Sequence, residues 1–205
     1  GFFDFANAVT EETGDPGLYD LSFEVEEGRT GNLMFGVGYS SVDDLIGFVE
    51  LSQGNFDLFN WPPVGDGQKL KLRGTVGTER QDIELSFVEP WFLDRKLSLG
   101  VDLYQRDRRL LSDEYDQVNT GGSVTLGKPL SGFDRLNLTL GIERIEVSDV
   151  DEDASDLIKA EEGVQDKHYV GLELLHDSRN NAFVASRGNR TSLSGTISGG
   201  PLSGD

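Results

Sequence analysis

Residues 68–77 read QKLKLRGTVG. Leu70, Leu72, Gly74 and Val76 fall on one side of this stretch, and Lys69, Lys71, Arg73 and Thr75 on the other. A repeat of two is the repeat of a β-strand, whose successive side chains point to opposite faces. Working outward, residues 81–89 set Ile83, Leu85 and Phe87 against Asp82, Glu84 and Ser86. Residues 96–105 set Leu97, Leu99, Val101 and Leu103 against Ser98, Gly100, Asp102 and Tyr104. Upstream, residues 45–53 place Leu45, Gly47, Val49 and Leu51 opposite Glu50 and Ser52. Residues 31–40, GNLMFGVGYS, place Leu33, Phe35, Val37 and Tyr39 opposite Asn32, Met34, Gly36, Gly38 and Ser40. Weaker copies follow at 120–128, 135–143, 167–176 and 189–198, so the chain predicts nine consecutive strands with almost no helical periodicity.

Two architectures produce a long alternating meander: a soluble sandwich or barrel, and a membrane barrel. Alternation alone does not say which face is outside. Hydrophobic residues are 36% of the 205, and no run approaches the ~20 apolar residues a membrane helix needs. A strand-crossing membrane protein remains compatible, because its strands expose every second residue to lipid. Strands of about ten residues exceed the soluble average of about five or six. The connections also alternate in character. NFDLFNWPPVGDGQ, EPWFLDRK, KPLSGFD and DSRNNAFVASRG carry Phe56, Phe59, Trp61, Trp91, Phe92, Phe133 and Phe183, including both tryptophans. SVDD, GTERQ, RDRRLLSDEYDQ and SDVDEDASDLIKAEEGVQD are polar and mostly acidic. The first set is expected at one rim as an interfacial aromatic girdle, with Phe56, Phe59, Trp61, Trp91, Phe92 and Phe183 as its anchors, or as filling beneath the barrel. The acidic set is expected at the opposite rim.

A formal net charge of −19 argues against a nucleic-acid backbone as partner. Absence of Cys removes disulfide frameworks and thiolate metal sites. His176-Asp177-Ser178 is contiguous, but catalytic triads assemble through space, and no catalytic residue is assigned. Gly36-Val37-Gly38 leads into no helix, so it is no phosphate loop. Asp149, Asp151 and Asp153 match the first positions of a calcium loop, but Ala154 stands where Gly is required and Ala160 where Glu is required. The stretch is read as a solvated loop with a short helix over 156–162, and no metal or cofactor is expected. Lys69, Lys71, Arg73, Glu84, Asp102 and Glu173, on the polar side, are expected to pair across strands.

The first 28 residues differ: Ala6–Glu11 and Tyr19–Glu26 read as a short hairpin around the turn Gly14-Asp15-Pro16-Gly17.

GNLMFGVGYSSVDDLIGFVELSQGNFDLFNWP, GQKLKLRGTVGTERQDIELSFVEPWFLDRKLSLGVDLY and DSRNNAFVASRGNRTSLS resemble the BamA family over essentially the whole chain. The resemblance implies an all-β, antiparallel transmembrane β-barrel meander in the bacterial outer membrane. About nine of the family's sixteen strands are present, and single-chain barrels normally have an even number, so a fragment is expected. Residues 1–28, ending FEVEEGRTG, would be the C-terminal hairpin of a polypeptide-transport-associated (POTRA) domain, and residues 29–205 the N-terminal half of the barrel. Aromatic turns would be periplasmic and acidic loops extracellular. The implied function is assembly of other barrel proteins, with unfolded outer-membrane proteins, accessory lipoproteins and the lipid bilayer as partners. A translocation pore of the same superfamily and a passive channel are the alternatives. The implied lateral-gate strand, which would pair with clients by β-augmentation, is Gly31, Asn32, Leu33, Met34, Phe35, Gly36, Val37, Gly38, Tyr39 and Ser40.

Overall fold

A computed structural model describes residues 3–15, 17–40, 44–78, 80–108, 114–182, 184–199 and 202. Strands β1 (Phe3–Glu12) and β2 (Tyr19–Glu27) form an antiparallel hairpin of their own. Strands β3 (Gly31–Ser40), β4 (Asp44–Phe56), β5 (Gln68–Gly77), β6 (Gln81–Glu89) and β7 (Ser98–Asp107) continue into β8 (Asp116–Pro129), β9 (Asp134–Ser148), β10 (Gly163–Asp177) and β11 (Arg190–Ser198). These nine form one antiparallel sheet in strict chain order, each strand bonded to its sequence neighbours. The sheet is open: β3 and β11 are its edges among the described residues.

Every expected strand is present, with shifted ends. Strand β7 begins at Ser98 rather than Lys96, and β1 begins before Ala6. Strands β8, β9 and β10 reach 14, 15 and 15 residues. They outrun the predicted ten because their ladders continue past the apolar band: beyond Ile142 the same side of β9 carries Arg144 and Glu146. A helix occupies Asp156–Ala160, capped by the Ser155 hydroxyl accepting from the Ile158 amide. The meander puts all four aromatic connections at one rim and the four acidic ones at the other.

Register decides which side chains share a face. Leu33, Leu51, Leu72, Leu85 and Leu103 are successive cross-strand partners, and Leu126, Leu138 and Leu172 form a second apolar row. This face is the open one: Leu33, Leu51, Leu72, Leu103, Leu138 and Leu172 are all exposed. Among the described residues the only buried hydrophobic residue is Ala154, whereas Asp57, Gln68, Thr75, Asp82 and Asp107 are all buried. The polarity of an ordinary soluble core is therefore inverted. An exposed apolar surface this extensive is stable only against another apolar medium, which here is lipid.

Candidate functional site

Strand β3 bonds to β4 through a continuous register from Gly31↔Gln53 to Ser40↔Asp44. Its other edge has no strand partner among the described residues. On the apolar face Leu33, Phe35, Val37 and Tyr39 stand almost free, Phe35 at 79% and Val37 at 87% exposure. All ten residues of the implied gate strand therefore lie on one edge. The structure describes that edge; its pairing with a client belongs to the functional proposal below.

The polar face of β3 is thin at Gly36 and Gly38. At Gly36 the space is taken: a Cβ placed there would lie 2.5 Å from Cε1 of Phe48, the directly paired residue of β4. The Arg73 guanidinium lies over that Phe48 ring at 4.3 Å and pairs with Glu50 at 3.3 Å. The same four-part arrangement recurs twice. Tyr104 covers its partner Gly121, Arg106 lies over the Tyr104 ring at 4.2 Å, and Arg106 pairs with Glu84 at 3.0 Å. Tyr169 covers its partner Gly141, with Lys167 at 6.0 Å from the ring centroid and 4.0 Å from Glu143. Each ring lies over a position where only hydrogen stands on the neighbouring strand.

Of the expected polar-face ion pairs, Arg73 and Glu84 form theirs. Asp102 instead accepts from Ser86 Oγ at 2.5 Å, and Glu173 from Asn137 Nδ2 at 2.8 Å. Lys69 and Lys71 stay exposed along β5, without an ion pair among the described residues. The Gly–ring pairs were missed by reading strands singly. Their signal was an aromatic on the polar side, as at Tyr104 in the 96–105 alternation.

The aromatic rim is built from turns. Phe59 and Trp61 are 86% and 91% exposed, and Trp91 is more than half exposed. Phe56 is less free, packing edge-on against Phe87 with centroids 6.4 Å apart. Phe92 opens a short 3-10 turn, Phe92–Asp94, and its amide donates to the Leu97 carbonyl at 2.8 Å. Phe183 lies outside the described residues. The long turn between β4 and β5 is organised by the buried Asp57. Its carboxylate accepts from Asn60 Nδ2 at 2.6 Å and from the amides of Phe59 and Asn60 at 3.0 and 3.2 Å. The Asn60 side chain first, and then the Phe59 amide, hold its pKa below the ordinary carboxylate value.

His176, at the same rim, turns to Asp134 of β9 with Nδ1 2.7 Å from Oδ1, while Ser178 Oγ donates to Asn189 Oδ1 at 2.9 Å. The contiguous His-Asp-Ser run is thus dispersed into separate cross-strand and turn bonds. At the opposite rim Arg144 and Asp166 form a two-pronged pair at 2.8 and 3.0 Å. No His/Asp/Glu cluster able to hold a metal occurs among the described residues.

A family model described as the Omp85 superfamily domain matches residues 63–205. The outer membrane protein assembly factor BamA of Nitratidesulfovibrio vulgaris is 26% identical over 186 residues, covering 91% of this chain and 22% of that protein. The BamA of Neisseria meningitidis serogroup B is 30% identical over 140 residues, 66% of this chain and 17% of that protein. The chain thus spans about a fifth of the length of these curated relatives. Among solved structures, BamA from Haemophilus ducreyi lacking POTRA domains 1–3 superposes with a TM-score of 0.71 at 22% identity. That match covers 97% of this chain and 40% of that one. It establishes a shared fold.

Proposed function

The chain belongs to the Omp85 superfamily of bacterial outer-membrane proteins, and from that premise we propose that it serves there in the assembly of other β-barrel proteins. The reading follows the relatives named as outer membrane protein assembly factors. In it, residues 29–205 supply the first strands of a barrel and residues 1–28 close a POTRA domain on the aromatic, periplasmic side, where accessory lipoproteins act. Exposed Phe59, Trp61 and Trp91 anchor that rim at the headgroup level.

One observation supports the proposal: among the described residues β3 has no strand partner on its outer edge, and its apolar-face side chains Leu33, Phe35, Val37 and Tyr39 are exposed. An unfolded client strand gains its hydrogen bonds on that edge instead of leaving bare amides in the bilayer. No covalent chemistry is required. Full-length protein reconstituted in liposomes should accelerate the folding of an added urea-unfolded outer-membrane barrel. Steady ion conductance with no acceleration would instead assign a passive channel.

A further inference from the structure

We propose that the free edge of β3 selects a strand that lays an aromatic side chain over Gly38 on the polar face. The inference rests on the reading of β3 as the client-pairing edge and adds a rule for which strands fit it.

The sheet states the rule three times. Phe48 over Gly36, Tyr104 over Gly121 and Tyr169 over Gly141 are each a ring covering the glycine directly paired with it. Gly38 lies two residues beyond Gly36 on the same face, and its seat is open. A Cβ there would meet only Ile46 Cγ2, at 3.6 Å, an ordinary contact. Among the described residues no strand lies on the remaining side of Gly38, so a cover from that side comes from a strand paired with the outer edge of β3. Glycine in a strand buries no side chain and loses the most backbone freedom on ordering. A ring across it restores buried apolar area and pins the register.

Threonine is the rival cover, since a Cβ added at Gly100 would lie 3.8 Å from Thr125 Cβ, and one added at Gly171 would lie 3.5 and 3.7 Å from Thr196 Oγ1 and Thr139 Cβ. Gly100 has no ring one same-face step away, and the ring one step from Gly171, Tyr169, is rooted on β10 itself and covers Gly141 of β9. At Gly38 the neighbouring ring is Phe48 of β4, seated over Gly36 one same-face step away along β3. A ring arriving over Gly38 would lie about 7 Å from it, within range of an aromatic pair. The apolar face sets the other half of the rule. Side chains flanking the ring position must be lipophilic, to extend the exposed row of Phe35, Val37 and Tyr39.

These 205 residues hold no cysteine, so once any cysteine elsewhere in the full-length protein is replaced, a single introduced thiol reports one position. The test uses full-length protein in liposomes carrying Met34→Cys on the polar face of β3. Its probes are synthetic strand peptides of about ten residues, alternating leucine and threonine. Each carries one thiol, and one phenylalanine is moved among the threonine positions. Disulfide capture should rise about tenfold when the phenylalanine falls over Gly38, and Gly38→Phe should erase that preference. Capture indifferent to the position of the phenylalanine, an all-threonine peptide captured equally well, or a preference that survives in Gly38→Phe each overturns the seat while leaving the edge intact. No capture of any peptide, with the introduced thiol still open to a small reagent, overturns the edge itself and the seat with it.

Discussion

Two places in the sheet use glycine on the polar face to opposite ends. In the middle, Gly141 on β9 lies under Tyr169 of β10, with Lys167 and Glu143 completing the group, and strands of fifteen residues run on either side of the contact. At the edge, Gly38 on ten-residue β3 has no cover among the described residues, which bond its strand on one side only. The same residue type is a filled joint in one place and an open one in the other. If the proposed function holds, a barrel rigid through its body and able to admit a strand at its seam gains from that difference. Aromatic cover supplies packing where it is present, and its absence leaves the edge cheap to rearrange.

The comparison breaks first if the faces are wrongly assigned, and that test carries the largest expected effect. Leu138 lies mid-way along the apolar run of β9, between partners Leu126 and Leu172. Leu138→Arg should destabilise the protein in bilayers by about 2–4 kcal/mol, the cost of arginine near the midplane. Asn137→Arg, one residue away on the polar face, should cost far less. Urea unfolding in lipid vesicles reads both, and equal costs would place neither face in lipid. The next effect sharpens the contrast between joints. Gly141→Val drives a side chain into the Tyr169 ring and should cost about 1–3 kcal/mol through overpacking. Gly38→Val meets only Ile46 at 3.6 Å and should change stability by under about 1 kcal/mol. A Gly38 variant as damaging as the Gly141 one would mean that the seat is already occupied.

Much of this was legible in residues alone. Alternation located all nine strands because a lipid-facing sheet needs apolar side chains at every second position, as in Leu70, Leu72 and Val76. The grouping of Trp61 and Trp91 into one class of turns gave the rim for the same reason. The Gly–ring pairs were not legible. Gly141 meets Tyr169 only through the register between β9 and β10, which is set across an acidic loop and the helix Asp156–Ala160. Polar-side pairing was legible by charge but not by partner. Glu173 bonds Asn137, and Asp102 bonds Ser86, because the nearest cross-strand donor in each case is neutral. The proposed gate role of β3 came from resemblance, and its two glycines became informative once Phe48 was seen to cover Gly36.

The smallest effect concerns the turn that joins β4 to β5 in the edge half of the sheet. Asp57 there is held ionised by the Asn60 side chain, by the Phe59 amide and by the Asn60 amide, against the opposing effect of burial. Its folded pKa is therefore below the unfolded value of about 3.9. The stability this carboxylate contributes is fully present above that unfolded value and is lost as pH falls through the folded one. Protonation removes charge from an acceptor serving three donors, so the turn should loosen below about pH 4 while the ladder between β4 and β5 stays closed. Hydrogen exchange at the Phe59 and Asn60 amides measures this directly. Their protection should fall in acid, and Asp57→Asn should lower it at neutral pH and flatten its dependence on acid. If both amides remain protected in acid in the unaltered protein, the carboxylate is not what shapes the turn, and the exposed placement of Phe59 and Trp61 at the rim must come from the turn's backbone bonds, such as Asp57 N to the Pro63 carbonyl.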